Sequence, residues 1–339
     1  MGPMASWFVF RLLRCVRTPS GYLTCLIQAR HGAKTAAKTH AMRMLPQAAM
    51  SQPAKAASAS ISIEVQSNKA ALENTNNYYD GLSAHYHMFQ QDWNGLVNGE
   101  REAFGDFFKG KNIKKVLDAS CGSGEQAMAL AGLGLDVTAC DPSGGLVNRC
   151  KQNAKELGFE QQVRAQQSDF LALTKDFKDE MGTFDAIVTK GSSLPHLHTD
   201  NELRAALKNF HDLLRPGGVV NIGVRDYDYF INNHAKLYPR QVRVGKQHEA
   251  EHIIFDVWEW HKGAEGQQLV NFNTFHVNGE ADGGKENAQH TASKFVTTFR
   301  ALFRAEMEQL MKEAGLVDIK VHKIHDWLWE NVYTAKRPE

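Results

Sequence analysis

Val116-Leu117-Asp118-Ala119-Ser120-Cys121-Gly122-Ser123-Gly124 reads as a short apolar strand running into a glycine-rich turn, and residues 125–133 behind it read as a helix. Glycines in such a turn let the backbone approach a ligand closely. Outward from there, strand and helix signals alternate. Asp136–Asp141 is a second strand, 143–157 a helix, 163–169 a third strand and Phe184–Thr189 a fourth. Residues 200–214 form an amphipathic helix stopped by Arg215-Pro216-Gly217-Gly218, and Val219–Val224 is a fifth strand. This order predicts an α/β fold with a parallel sheet covered on both faces. A helix is expected over 94–108 on the N-terminal side.

The pattern changes after the fifth strand. Residues 252–260, 269–278 and 293–300 read as strands with no helix between them, an antiparallel β insert at roughly 230–300. A helix over 301–314 follows, ended by Gly315, and strands at 317–323 and 332–336 close the chain. An insert there sits at the carboxyl ends of the strands, where ligands bind in open α/β sheets.

The 339 residues are 42% hydrophobic and 23% charged, an ordinary globular composition with a net charge of +1. That balance hides an asymmetry. Residues 1–60 carry no Asp or Glu and eight Lys and Arg, which leaves 31 basic and 38 acidic residues elsewhere, a net of −7. An acid-free, Ala- and Ser-rich leader with the apolar patch Trp7-Phe8-Val9-Phe10 and nearby Arg11 and Arg14 is expected to be a disordered transit peptide and linker. A mitochondrial address is expected ahead of a plastid or cytoplasmic one, and residues 61–339 are expected to be the working domain. The acidic balance of that domain argues against nucleic acid as partner. No run of about 18 apolar residues predicts a membrane span. The five cysteines, at 15, 25, 121, 140 and 150, lack zinc-ligand spacing, so no metal is expected.

The turn admits two cofactor classes. Asp141 ends the second strand nineteen residues after Gly122, where a carboxylate can accept both hydroxyls of a ribose. A dinucleotide fingerprint wants a third glycine, but position 127 is Ala, and a diphosphate wants a helix start free of acid, but Glu125 stands there. Asp118 and Glu125 suit instead the ammonium and sulfonium of S-adenosyl-L-methionine.

Leu117-Asp-x-x-Cys-Gly-x-Gly124 resembles the first motif of class I S-adenosylmethionine-dependent methyltransferases. Asp141, Ser168-Asp169-Phe170, Phe184-Asp185-Ala186-Ile187-Val188 and Leu214-Arg-Pro-Gly-Gly218 follow in that family's order. The resemblance implies a Rossmann-like seven-stranded sheet. It also implies that Gly122 and Gly124 pass beneath the methionine part of the cofactor, with Asp118, Pro142 and Lys190 in the cofactor set. Asp141 would hold the ribose, and Ser168, Asp169 and Phe170 would lie at the adenine. Cys121 is expected to be a small loop residue, not a nucleophile.

Within that class, residues 75–337 resemble the glycine and glycine/sarcosine N-methyltransferases. Tyr79-Asp-x-Leu-x-x-x-Tyr-His87 with Trp93, Lys190-Gly-Ser-Ser-Leu-Pro-His-Leu197 and Arg225-Asp-Tyr-Asp-Tyr229 carry the likeness. It implies a lid over the cofactor with Tyr79, Tyr86 and Trp93. It also implies a substrate site from Gly191, Ser192, His196, Arg225 and Tyr227. Arg225 would grip a carboxylate through two parallel hydrogen bonds. Two departures matter. Ser192 stands where the glycine enzymes have Asn, and Asn271–His276 and Phe295–Arg300 lack the tyrosines of the animal enzymes. Trp258 and Trp260 share one strand face and are either ligand wall or core.

The expected reaction is methyl transfer to the nitrogen of a small carboxylate-bearing amine of the glycine, sarcosine or dimethylglycine type. No side chain is required to do bond chemistry; Arg225, Ser192 and His196 position. Methylation of a small thioether or thiol acid is the alternative within catalysis, and a non-turning-over cofactor binder the alternative outside it. The expected partner is a small acid, and the domain is compatible with a homo-oligomer.

Overall fold

The computed structural model describes residues 15–17, 23–25, 78–79, 92–233, 236–243, 252–279, 290–323 and 330–339. The chain divides into two units, residues 1–63 and 64–339. In the first, β1 (Cys15–Arg17) pairs antiparallel with β2 (Leu23–Cys25). The rest of the expected leader, Tyr86 and His87 lie outside the described residues.

The second unit follows the alternation read from the sequence. After α1 (Trp93–Phe108) come β3 (Lys115–Asp118), α2 (Glu125–Ala131), β4 (Asp136–Asp141), α3 (Gly144–Glu156) and β5 (Val163–Gln167). A short α4 (Leu173–Asp176), β6 (Phe184–Thr189), α5 (Asp200–Leu213) and β7 (Leu214–Arg225) complete the parallel part. Then come α6 (Tyr227–Asn233), β8 (Leu237–Arg243), β9 (His252–Lys262), β10 (Gln268–Gly279) and β11 (His290–Arg300). The described chain closes with α7 (Arg304–Glu313), β12 (Val317–Lys323) and β13 (Glu330–Lys336).

Seven strands form one sheet in the order β12-β13-β7-β6-β3-β4-β5, and β8 to β11 form a separate antiparallel sheet. Within the first, β13 runs antiparallel to β7, so Glu330 at its start lies beside Arg225 at the end of β7. The insert has one strand more than the sequence signals, because the Pro-containing run of β8 lacks clear alternation.

Period-two alternation sends side chains to two faces. Val116, Ala186 and Val188 pack with α1, α2 and α3, and Leu117, Ile187 and Val220 pack with α5 and α7. The N-terminus of α5 is fixed locally. Thr199 accepts from the Glu202 backbone N–H at 3.2 Å while Glu202 accepts from the Thr199 N–H at 2.9 Å, a reciprocal cap that contributes about 1 kcal/mol. Asp185 ties two motifs together: it accepts from the backbone of Lys114 and Lys115 and from Arg215. No helix among the described residues is long and apolar enough to cross a membrane.

Candidate active site

The site begins where the strand order reverses between β3 and β6, a crevice by topology. The loop after β3 is anchored by Ala119 N–H to the Val188 carbonyl and Cys121 N–H to the Cys140 carbonyl, both 2.9 Å. Gly124 caps α2 at φ 101°, a left-handed conformation open to glycine, and a Cβ there would stand 2.8 Å from Cys150 Sγ. Asp141 accepts from the backbone N–H of Gly122 on one oxygen and of Ser143 on the other, each at 3.0 Å. It therefore locks the loop to β4 and still has lone pairs for further donors.

A cleft of about 710 Å3, open mouth included, lies over these elements. Tyr79, Gly122, Asp141, Pro142, Asp169, Phe170 and His196 line it, all residues singled out from the sequence. Ala119, Ser120, Leu146, Leu171, Ser193 and Leu197 line it too, and carried no signal beyond their place in loops and on the first turn of α3. Asp169 turns Oδ1 to the backbone of Leu171 and Ala172, at 2.8 and 3.0 Å. Phe170 packs edge-on against Phe210.

Five other expected cofactor residues are absent from that lining. Trp93 packs with the core beneath the loop, Gly124 supports the turn, and Ser168 donates to Asp176 at 2.8 Å. Asp118 is fully buried; Oδ1 meets the Ser120 N–H at 3.4 Å and Oδ2 has no hydrogen-bond partner. Burial, aided by Asp141 and Glu125, pushes its carboxyl well above the usual carboxylate range. Glu125 is raised by burial too, against the Ser123 hydroxyl that donates to it at 2.7 Å. Lys190 pairs with Glu330 at 3.7 Å, both side chains buried.

The charge of the cleft selects among cofactors. Its lining holds two carboxylates, Asp141 and Asp169, and no Lys or Arg. A diphosphate would be repelled there, whereas a ribose with a cationic sulfonium and ammonium fits.

A second group of residues gathers at the end of β7. Arg225 is 9% exposed, and its backbone N–H donates to Ser192 Oγ at 3.1 Å. The rings of Phe272, Trp258 and Phe299 have centroids 4.9, 5.7 and 5.9 Å from the guanidinium carbon. Arg225 forms no ion pair among the described residues, and its buried Nη1 has no hydrogen-bond partner. Ser192 holds φ 59°, left-handed for a non-glycine residue, and its oxygen serves the Arg225 backbone. Asn tolerates that conformation better than Ser. Gly191 is left-handed as well, at φ 69°. The Tyr227 hydroxyl is fully buried beside Ser192 and Arg225 without a hydrogen bond, and burial raises its pKa.

His196 stands between the two groups. Its Nε2 is 3.0 Å from the Tyr79 hydroxyl, and its ring is 4.3 Å from that of Phe299, which also faces Arg225. Burial, aided by His198 and Arg225, pushes its pKa down to about 3, so the imidazole is neutral. Trp258 is core as well as wall: it stacks on Phe272 and Tyr238, and Trp260 meets it edge-on.

Residues 116–218 match the family model described as a methyltransferase domain. The glycine/sarcosine N-methyltransferase of Parasynechococcus marenigrum (strain WH8102) is 29% identical over 177 residues, 48% of this chain and 61% of that protein. The glycine N-methyltransferase of Rattus norvegicus is 34% identical over 126 residues, 35% of this chain and 42% of that protein. The match thus spans less than two thirds of either relative. Among solved structures, the CcbJ methyltransferase of Streptomyces caelestis superposes with a TM-score of 0.57 at 16% identity, covering 78% of this chain and 98% of that one. By loop motif, cleft chemistry, family model and strand order, the chain carries a class I S-adenosylmethionine-dependent methyltransferase domain that resembles those of the glycine and glycine/sarcosine N-methyltransferases.

Proposed function

We propose that the protein transfers a methyl group to the nitrogen of a small amine that bears a carboxylate, of the glycine, sarcosine or dimethylglycine type. The names of the relatives favour this class of acceptor. The observation that carries it in this chain is the state of Arg225: a buried guanidinium with an unpartnered Nη1 and no acidic partner among the described residues. A buried charge without a partner is costly, and a carboxylate accepting two parallel hydrogen bonds removes that cost.

S-adenosylmethionine, when bound, supplies the electrophilic methyl group. Asp141 would hold its ribose, with Asp169 and Phe170 at the base. The chain's own part is alignment, which contributes roughly 7–11 kcal/mol in well-oriented reactions. Arg225 fixes the acid end of the acceptor, Ser192 fixes Arg225, and the three rings exclude water. Neutral His196 orients through its hydrogen bond to Tyr79 and takes up no proton near neutral pH.

An acceptor assay on matched pairs tests the reading. Sarcosine and dimethylglycine are compared with their amides, which keep the nitrogen and lose the negative charge. The acids should be methylated and the amides fail; equal rates would refute carboxylate recognition.

A further inference from the structure

We propose that the Thr297 hydroxyl is a second polar contact of the acceptor: it takes an N–H of the amine whose carboxylate lies on Arg225, and so selects primary and secondary amines. The inference rests on the reading that Arg225 takes the acceptor's carboxylate. It starts from a hydrogen bond left unmade. Thr297 is 2% exposed, and its Oγ1 has no hydrogen-bond partner among the described residues. A valine of the same shape would fill that place without burying a lone hydroxyl, so packing alone does not account for it.

The insert sheet places this hydroxyl beside the acceptor site. On β11, Phe295, Thr297 and Phe299 alternate onto one face, and Phe272 of β10 stands directly opposite Thr297. The rings of Phe272 and Phe299 are the ones with centroids 4.9 and 5.9 Å from the Arg225 guanidinium carbon. The ring of Phe295 meets that of Tyr78 edge-on at 6.1 Å. Thr297 therefore stands between the residues that touch Arg225 and the one that touches Tyr78. The next residue, Tyr79, lines the cleft, as does His196, whose ring packs on Phe299 at 4.3 Å. Two buried, unsatisfied groups thus share one end of the cleft: a donor on Arg225 and the hydroxyl of Thr297.

The pair suits an amino acid with a free N–H. A carboxylate accepts from the guanidinium, and the hydroxyl oxygen accepts from the amine. The accepted N–H turns the nitrogen and so aims its lone pair. Methyl transfer forms the N–C bond and breaks the S–C bond, the electron pair goes to sulfur, and the product keeps the N–H. A deprotonated tertiary amine has no N–H to give, and neither has a thioether. Glycine and sarcosine can use Thr297 in the reacting state; dimethylglycine cannot.

Initial rates of the full chain at saturating S-adenosylmethionine test this, with sarcosine and dimethylglycine as acceptors and acetate as a competing acid. Thr297→Val should lower kcat/KM for sarcosine roughly three- to tenfold, the worth of one neutral hydrogen bond. It should leave dimethylglycine and the acetate inhibition constant within about twofold, and Thr297→Ser should restore sarcosine. Without ligands, the denaturant midpoint of Thr297→Val should lie at or above that of wild type, because no bond of the fold is lost. An undiminished rate with sarcosine, an equal loss with dimethylglycine or a lower midpoint would overturn the proposal. Where dimethylglycine does not react, the acetate constant is the control, and its weakening in step with sarcosine overturns the proposal too. In each of these cases acetate still competes in wild type, and the Arg225 reading stands. If wild type methylates no carboxylate-bearing amine, or acetate does not compete, the Arg225 reading falls and this proposal with it.

Discussion

Arg225 and Glu330 face each other across the β7–β13 ladder, yet Glu330 is paired with Lys190 and the guanidinium of Arg225 keeps an unpartnered nitrogen under three aromatic rings. In the proposed function that guanidinium takes the carboxylate of the acceptor. Arg225→Lys keeps the charge and loses the planar fork. It should raise KM for the acceptor roughly 10–100-fold while leaving S-adenosylmethionine affinity within about twofold. Initial rates and calorimetric cofactor titration separate the two effects; equal damage to both would make Arg225 structural.

Asp141 joins two backbone segments of the cleft through Gly122 and Ser143. Asp141→Ala should weaken cofactor binding by roughly 10–100-fold, from losing charge-assisted hydrogen bonds to loop and ribose alike. Calorimetry checks the affinity, and acceptor KM measured at saturating cofactor should stay near wild type.

Gly223 is the crossing point of the Lys190–Glu330 pair. Gly223→Ala should destabilise the fold by about 1–3 kcal/mol through overpacking, seen as a lower midpoint in denaturant. Gly99, in α1 with nothing within 4 Å of an added Cβ, is the control. Gly99→Ala should be stabilising by about 0.5–1 kcal/mol.

His196 supplies a pH test with a definite sign. Its folded pKa is about 3 against an ordinary 6.5, so between these values the unfolded chain binds the extra proton. Its contribution to stability is complete above pH 6.5 and is lost as pH falls toward 3, with a slope of up to about 1.4 kcal/mol per pH unit. Raised Asp118 and Glu125 have the opposite sign, so the comparison must be between proteins. His196→Gln should flatten the denaturant midpoint against pH between 6.5 and 5 relative to wild type. An unchanged slope would mean that His196 titrates in the fold as it does in the unfolded chain.

The cofactor half of the site was legible in the sequence because its parts are local. A strand, a glycine turn and an acid at the end of the next strand specify their geometry within about 25 residues. Asp169 and Phe170 came from a motif of the same kind. The surroundings of Lys190 are not legible for the opposite reason. The motif set it beside the cofactor, but its partner Glu330 is 140 positions away, and only antiparallel registration of β13 on β7 brings the two together. Of the wall, Trp258 stands out in the sequence as ligand wall or core, while Phe272 and Phe299 show as strand residues only. Which face of the insert they occupy depends on pairing across β9, β10 and β11. Ser192 showed its departure from Asn in sequence, but its bond to the Arg225 backbone depends on the fold.

The most direct test of the central claim is methyl transfer itself. Isotope-labelled S-adenosylmethionine, the full chain and a panel of glycine, sarcosine, dimethylglycine, β-alanine and thioether acids are incubated together, and products are identified by mass spectrometry. The account predicts label on the nitrogen of a carboxylate-bearing amine, abolished in Arg225→Met. Label on sulfur, or no transfer from a protein that still binds the cofactor, would contradict it.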